Sequence, residues 1–200
     1  PCVDCNAIAP QTPHELDAII RAAGGECIDA GIIGPPPRGK ASMRMYVSGP
    51  RAAELTQLSS AGIDVRVMSG RIGDASAIKM CYASYTKGAV ALGVEMLMAA
   101  RRLGVDAALD RELQQSAADN RQWVLSRTTV MPPKAYRWVP EMLEIAKTFE
   151  GAGMTPRILL GAADMYEMIA RTTLGKESPE EARAKGRDGQ TVVNGLADGI

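Results

Sequence analysis

The chain has 200 residues, of which 46% are apolar and 23% charged, the usual mixture of a globular protein with one large or two small domains. Its 23 basic residues balance its 23 acidic residues, so we expect neither nucleic acid nor an anionic membrane as a partner. The sequence has no signal region and no apolar run of the roughly 18 to 20 residues that span a bilayer. We therefore predict a cytoplasmic protein.

The four cysteines, Cys2, Cys5, Cys27 and Cys81, lack the spacing of a secreted disulfide scaffold, so reduced thiols are expected. Cys2 and Cys5 form a C-x-x-C pair, but the chain has no second pair and its single histidine is His14. Neither a zinc site nor redox chemistry is predicted from this pattern.

The first third of the chain alternates short strands with helices. A strand ends at Asp4, and Thr12-Pro13-His14-Glu15 has the pattern of a capping box that opens a helix reaching to about Gly24. Glycines and prolines separate the segments that follow, which we predict as strands over 27–33, 43–47 and 65–68 and a helix over 50–60. This alternation indicates an α/β fold.

The pattern changes after Gly73. Residues 75–103 contain no proline and are nearly continuously apolar, which predicts one helix about 40 Å long, buried on most sides or in a dimer interface. Further helices are predicted at about 106–126, 140–150 and 156–173, and a capped one begins at Ser178. The tail from Lys185 is rich in glycine and charge and is expected to be flexible. An all-helical part thus follows the α/β part.

Two loops near the start offer groups to a ligand. Asp4 to Pro10 joins a strand end to a helix, where side chains and amides can face a ligand at the carboxyl edge of a sheet. Asp29 to Pro36 places glycines after a strand, which lets backbone amides approach a carboxylate. Each segment taken alone is also compatible with an ordinary loop or turn.

The segment from Gly70 to Lys79 places a lysine on the second turn of the long helix, directly after a glycine loop. Its neighbours are apolar, and a lysine that loses solvation has a lowered pKa, as general acid/base catalysis requires. A lysine that reaches solvent along an apolar surface is the alternative. Tyr82, one turn further on, is positioned to add a polar group to the same helix face.

Two later segments also carry candidate residues. Lys147-Thr148-Phe149 lies on a predicted helix, and by itself Lys147 has the pattern of a solvated charge. Met131 to Trp138 concentrates two cations and two aromatic residues beside two prolines, and Arg137 is placed to bind a carboxylate bidentately, through two N–H groups of its guanidinium. A structural turn with Trp138 in the core is the alternative for this segment.

In this order the segments resemble the β-hydroxyacid dehydrogenases, the family of 6-phosphogluconate and 3-hydroxyisobutyrate dehydrogenases. That family has D-x-S-T-x-x-P and D-A-P-V-S-G-G segments for substrate, a G-x-x-G-x-x-x-x-x-K segment with the catalytic lysine, and a K-D segment that completes the site. By this resemblance Lys79 is the catalytic acid/base, the substrate contacts are Asn6, Ala7, Ile33, Gly34, Pro35, Tyr82 and Arg137, and the cofactor contacts are Asn6, Gly73 and Lys147.

The resemblance implies NADP or NAD as cofactor, a small hydroxyacid-like substrate and a homodimer formed through the helical domain. It also implies the C-terminal part of a Rossmann-like domain over 1–74, an all-helical domain of the 6-phosphogluconate dehydrogenase type over 75–184 and a flexible tail over 185–200. The chain departs from the pattern at Ala83 and Thr148, where the family has asparagine and aspartate. It is most similar to the phosphogluconate dehydrogenase-like branch.

No G-x-G-x-x-G occurs in the chain, so we expect it to be a fragment or truncated product that is inactive alone and binds NAD(P) weakly. An imine or other carbonyl reductase on the same scaffold, or a helical dimerisation or binding module without catalysis, are the alternative functions. As a control for Lys79 we expect Lys87, two turns further along the helix, to tolerate substitution.

Overall fold

The structure is a computed structural model that describes residues 1–35 and 43–199. Pro36, the last residue of the second predicted ligand loop, lies outside the described residues. The chain divides into two compact units, the first formed by residues 1–83 and 144–156 and the second by residues 84–143 and 157–200.

The first unit contains a mixed four-stranded sheet. Its elements are the strands β1 (Cys2–Asp4), β2 (Cys27–Ile33), β3 (Arg44–Ser48) and β4 (Asp64–Ser69), the helix α1 (Gln11–Ala22) and a 3₁₀ helix over Ala52–Ala61. The strands lie in the order β1-β2-β3-β4. β1 is parallel to β2 and β3 is parallel to β4, whereas β2 and β3 are antiparallel. The predicted strands and their order along the chain are confirmed.

The alternation of side chains along β2 explains how the sheet is covered on both faces. Ile28 and Ala30 point to one face, where they pack with Val47, Ala52 and Leu55 into a core closed by the 3₁₀ helix. Asp29 and Gly31 point to the opposite face, and both are buried there as well. A strand buried on both faces is typical of the centre of an α/β sheet.

The helical part begins with α2 (Asp74–Arg102), within one residue of the predicted limits at each end. It is followed by α3 (Asp106–Ser116), α4 (Ala118–Thr128), a 3₁₀ turn over Pro132–Lys134, α5 (Ala135–Gly151), α6 (Arg157–Arg171), α7 (Pro179–Ala184) and α8 (Gly189–Asp198). The predicted fold class, an α/β part followed by an all-helical part, is confirmed. Among the helices of the described residues, none combines the length and the apolar character that crossing a membrane requires.

Three predictions of local structure were wrong. The helix α1 begins at Gln11, so Thr12 lies inside the helix and does not cap it. The helix predicted over 106–126 is two helices, because the backbone of Ala117 (φ −151°, ψ 42°) leaves the helical region. The tail from Lys185 forms α8, in which Val192, Val193 and Leu196 are at most 2% exposed. These apolar residues recur at helical spacing, so they do supply the tail with a surface to bury.

The core of the second unit surrounds Tyr166 of α6, which is fully buried. Its hydroxyl donates a hydrogen bond of 2.7 Å to the backbone oxygen of Lys87, and its ring meets Trp138 edge to face at 5.1 Å. The ammonium of Lys87 lies 5.4 Å from the centre of the Trp138 ring and forms an ion pair with Glu141. Lys87 therefore has a structural role, because its loss would leave Glu141 without its cation. The expectation that replacing Lys87 changes turnover little stays a prediction.

We predict that Cys27 resists thiol reagents while the exposed Cys2, Cys5 and Cys81 react. Cys27 is 0% exposed, and burial, reinforced by nearby negative charges, raises its pKa to about 11. At pH 8 roughly one Cys27 thiol in a thousand would be ionised. Titration with a disulfide reagent should find three fast thiols in the folded chain and four after unfolding. A Cys27→Ser variant that loses one of the fast thiols would contradict the assignment.

Candidate active site at the start of the long helix

A row of four polar side chains crosses the sheet at one level. In the strand pairing Asp4 of β1 lies beside Asp29 of β2, Asp29 beside Ser48 of β3, and Ser48 beside Ser69 of β4. Residues in register on neighbouring strands project from the same face of a sheet. The row, defined here as Asp4, Asp29, Ser48 and Ser69, therefore presents two carboxylates and two hydroxyls along one line.

The first turn of α2 is bound to this row. The hydroxyl of Ser48 accepts a 3.0 Å hydrogen bond from the amide of Ala75, and Ser69 donates one of 2.6 Å to Asp74. Asp29 accepts the amide of Ser76 at 2.9 Å. These amides at the start of a helix have no partner within the helix, so the row satisfies them and the helix start is fixed on the sheet.

Asp29 is only 1% exposed, yet its carboxylate accepts three hydrogen bonds. Besides the amide of Ser76, it accepts the hydroxyl of Ser76 at 2.6 Å and the hydroxyl of Ser48 at 3.1 Å. A buried carboxylate needs such donors because it has lost its water. The aspartate that the sequence marks only as the start of a glycine loop is therefore an anchor for α2.

Lys79 lies one turn beyond this anchor and is half-buried. Gly31 of β2 determines how closely this part of α2 approaches the sheet. A Cβ atom on Gly31 would lie 2.3 Å from the backbone oxygen of Ala75 and 3.1 Å from the Cβ of Lys79. Only glycine fits this contact, so the helix packs directly on β2 and the Lys79 backbone has a defined place above the strand.

The loop after β1 lies near the same lysine. Cys5 is exposed, and its pKa is raised by partial burial and by the negative charge of Asp4, while the ammonium of Lys79 acts in the opposite direction. Asp4 is 9% exposed, and its Oδ1 accepts both the backbone amide of Asn6 at 3.0 Å and the side-chain amide of Asn6 at 2.6 Å. The Asp4 Oδ2 atom is buried and has no hydrogen-bond partner among the described residues. Asn6 itself is exposed and Ala7 half-buried.

Two further predicted residues lie on segments that contact this loop. Glu144 of α5 accepts the amide of Ala9 at 2.7 Å, which holds α5 against the loop one turn before the exposed Lys147. Gly73 has a φ of 93°, and a Cβ there would lie 3.1 Å from the backbone oxygen of Pro10. Lys79, the Asn6 loop, Gly73 and the helix of Lys147 are thus connected by contacts within the first unit.

The other predicted substrate residues differ in what they can offer. Ile33 is 6% exposed, so its side chain belongs to the core and only its backbone is suited to a ligand. Gly34, with a φ of 118°, and Pro35 are exposed directly after β2. Tyr82 is 49% exposed on α2. Arg137 is exposed on α5 and belongs to the second unit.

We predict that Asp29→Asn lowers the free energy of unfolding by about 2 kcal/mol. The carboxylate of Asp29 accepts three hydrogen bonds, and in asparagine an NH₂ group, which cannot accept one, would take the place of one of its two oxygens. Urea unfolding followed by circular dichroism measures the loss. Asp64→Asn is the matched control, since Asp64 is exposed and pairs with Arg66 at the surface; its expected change is within about 0.5 kcal/mol. Equal losses in the two variants would show that Asp29 does not anchor α2.

Comparison with known proteins finds a family model and a curated relative that resemble this chain. Residues 100–169 match the family described as "Domain of unknown function (DUF1932)". An uncharacterised 28.5 kDa protein of Methanothermus fervidus is 28% identical over 170 residues, covering 84% of this chain and 65% of that protein. The chain thus spans slightly less than two thirds of the length of this curated relative.

Several solved structures have a fold similar to that of this chain. A conserved hypothetical protein from Sinorhizobium meliloti has a TM-score of 0.75 at 23% identity, over 98% of this chain and 65% of that one. The conserved protein MTH1747, described as structurally similar to 3-hydroxyacid dehydrogenases, has a TM-score of 0.68 at 30% identity, over 92% and 67%. A 3-hydroxyisobutyrate dehydrogenase from Salmonella typhimurium shares the fold, with a TM-score of 0.63 at 18% identity over 96% and 68%.

The fold, a sheet of Rossmann-like character followed by a helical part, is thus one that a solved 3-hydroxyisobutyrate dehydrogenase also has. The chain belongs to the 3-hydroxyacid dehydrogenase-like proteins, as the resemblance of its motifs predicts.

Proposed function

We propose that the protein, in a form that also contains the G-x-G-x-x-G motif of the family, transfers a hydride between a nicotinamide cofactor, NAD or NADP, and the hydroxyl-bearing carbon of a small hydroxyacid, with Lys79 as the acid/base. The observation that carries the proposal is the placement of Lys79. The lysine is half-buried, its helix is anchored by Asp29, and Gly31 sets its distance from β2. A base that moves a proton needs this fixed position, because proton transfer requires hydrogen-bond contact with the reacting oxygen.

Oxidation of an alcohol removes a hydride from carbon and a proton from oxygen. Lys79 in its neutral form accepts the hydroxyl proton, and in the reverse direction its ammonium returns it to the carbonyl oxygen. The backbone after β2, from Ile33 to Pro35, together with Asn6, Ala7 and Tyr82, is assigned to the substrate. Glycine conformations such as Gly34 let backbone amides approach a carboxylate closely.

The residues of the first unit fit a nicotinamide cofactor, which supplies the hydride chemistry. Asp4 Oδ2 is buried without a partner beside Asn6, so an amide or hydroxyl donor of a ligand would satisfy it. Gly73 lies in a buried turn against Pro10, and Lys147 is an exposed cation on α5. We assign Asn6, Gly73 and Lys147 to cofactor contacts.

A substrate panel tests the reaction class. NAD⁺ and NADP⁺ are each offered with short 3-hydroxyacids, with the matching 2-hydroxyacids, and with the corresponding alcohols that lack a carboxylate, and reduced nicotinamide is followed at 340 nm. We expect oxidation of 3-hydroxyacids in preference to the alcohols. A form of the protein that binds the cofactor but oxidises no member of the panel would refute hydroxyacid specificity.

We also propose that the protein is a homodimer through its helical unit. A groove of about 380 Å³ lies between α2 and α6, with Gly88 and Gly161 in its lining. The large apolar side chains beside it, Tyr85, Leu92 and Ile158, are 68%, 69% and 75% exposed. Exposed apolar side chains concentrated in one patch favour contact with another protein.

Sedimentation velocity tests the dimer. It should show a dimer that Leu92→Glu converts to a folded monomer, and a wild-type monomer at micromolar concentration would contradict the proposal.

A further inference from the structure

The segment from Met131 to Trp138 in the second unit divides into a buried face and a charged face. Met131, Pro132, Pro133 and Ala135 are buried, and Trp138 packs against Tyr166. The 3₁₀ turn continues without a break into α5, so Lys134 and Arg137, three residues apart, lie on the same side of one helical path. The buried face therefore holds the two cations in a fixed relation to each other.

A third cation comes from α7, which packs against the 3₁₀ turn. Arg183 of α7 and Arg137 both act on Lys134 as neighbouring positive charges. The one ion pair of Arg183 within the described ranges, to Glu180, is 3.4 Å long, and its two side chains are 60% and 77% exposed. An ion pair of this kind neutralises little of the charge of Arg183.

Lys134 is half-buried but has no acidic partner. Burial and then the positive charges of Arg183 and Arg137 lower its pKa, and no carboxylate within the described residues acts in the opposite direction. Neither Lys134 nor Arg137 forms an ion pair within residues 1–35 and 43–199. The three cations repel one another, with the exposed Glu180 beside Arg183 as the one carboxylate paired with any of them among the described residues.

We propose that Lys134, Arg137 and Arg183 form a binding site for a doubly charged oxyanion of the phosphate monoester type. Two guanidinium groups offer flat pairs of N–H donors that match two oxygens of one phosphate, and an ammonium supplies a point charge to a third. A monocarboxylate has two oxygens and one charge, so it would leave part of the cluster unsatisfied.

Binding is measured directly, without turnover, so its result is separate from that of the hydride-transfer proposal. Inorganic phosphate is titrated at pH 7 and constant ionic strength, with sodium acetate in parallel, and amide chemical shifts and the melting temperature are followed. We expect saturable binding of phosphate with a dissociation constant of about 1 mM or tighter, and at least tenfold weaker binding of acetate. Equal affinity for the two anions would overturn the assignment to a doubly charged ligand.

Variants locate the site. Lys134→Gln and Arg137→Gln should each weaken phosphate binding by at least about tenfold, since each removes one charge-assisted hydrogen bond. Lys176→Gln is the control, because Lys176 is an exposed lysine outside the cluster. Circular dichroism confirms that the variants are folded, which is expected for side chains that carry none of the core. Unchanged binding in both cluster variants, or no saturable binding by the wild type, would overturn the proposal.

Discussion

Replacing Lys79 with methionine is expected to lower the turnover number for hydroxyacid oxidation by at least about a hundredfold, the contribution that general acid/base catalysis commonly makes. Methionine keeps the length and the apolar part of the side chain but can neither take up nor release the hydroxyl proton. The half-buried position and the contact of its helix with Gly31 indicate that folding is retained. Steady-state kinetics in a form of the protein that oxidises a hydroxyacid with NAD(P)⁺ measures the change.

Two controls distinguish proton transfer by Lys79 from the effect of its positive charge and from the general effect of replacing a lysine. Lys79→Arg keeps the positive charge but does not lose a proton at accessible pH, so its turnover number should fall as far as that of Lys79→Met. Lys176→Met removes an exposed lysine elsewhere and should change turnover less than twofold. Recovery of most of the activity in Lys79→Arg would mean that the lysine acts by its charge, and the acid/base assignment would be wrong.

Gly31→Ala is expected to lower the free energy of unfolding by about 3 kcal/mol, the upper part of the usual range for inserting a methyl group into a packed interior. The new Cβ would meet the backbone oxygen of Ala75 at 2.3 Å, and a backbone atom of an anchored helix has no free direction in which to move. Strand and helix must therefore separate, which displaces Lys79. The loss of stability should be accompanied by at least a tenfold loss of turnover.

Gly70→Ala is the matched control for this substitution. Gly70 precedes the same helix, and a Cβ there would have no neighbour within 4 Å. Its free energy of unfolding should change by less than about 0.5 kcal/mol. If Gly31→Ala were as stable as Gly70→Ala, the close approach of α2 to β2 would not be required by the fold.

The elements that could be predicted from the sequence are those with a strong local pattern. The long helix α2 was placed within one residue at each end because no glycine cluster or proline interrupts its apolar run. The capping box at Ser178 was correct, with Ser178 and Glu181 each accepting the amide of the other. At α1 the similar pattern of Thr12 to Glu15 did not form a cap, because the chain turns into the helix two residues earlier, at Pro10.

In the candidate site, too, the residues within local motifs could be predicted, whereas the long-range contacts that hold them could not. The motifs predict Lys79, Asn6 and Gly73 as site residues because these residues follow strands and glycine turns at a recognisable spacing. The contacts that hold them, from Asp29 to Ser76 and from Glu144 to Ala9, join residues 47 and 135 positions apart. No local pattern contains such pairs, and the alignment of Asp4, Asp29, Ser48 and Ser69 depends on the register of four strands. The polar Ser76, which closely follows Gly73-Asp74 at the start of the long helix, is a weak local signal for this anchor.

The polar row that crosses the sheet also limits how the strands can pair while the chain folds. If β2 slipped by one residue, Ile28 or Ala30 would replace Asp29 beneath the amide of Ser76, and every side chain of the strand would change face. A slip of two residues would keep the faces but bring Cys27 or Gly31 to that place, and neither has a carboxylate to accept the amide. The start of α2 can therefore dock only on a correctly paired sheet. A sheet formed in the wrong register would leave the helix unattached and free to separate again, so docking of the helix acts as a check on strand pairing.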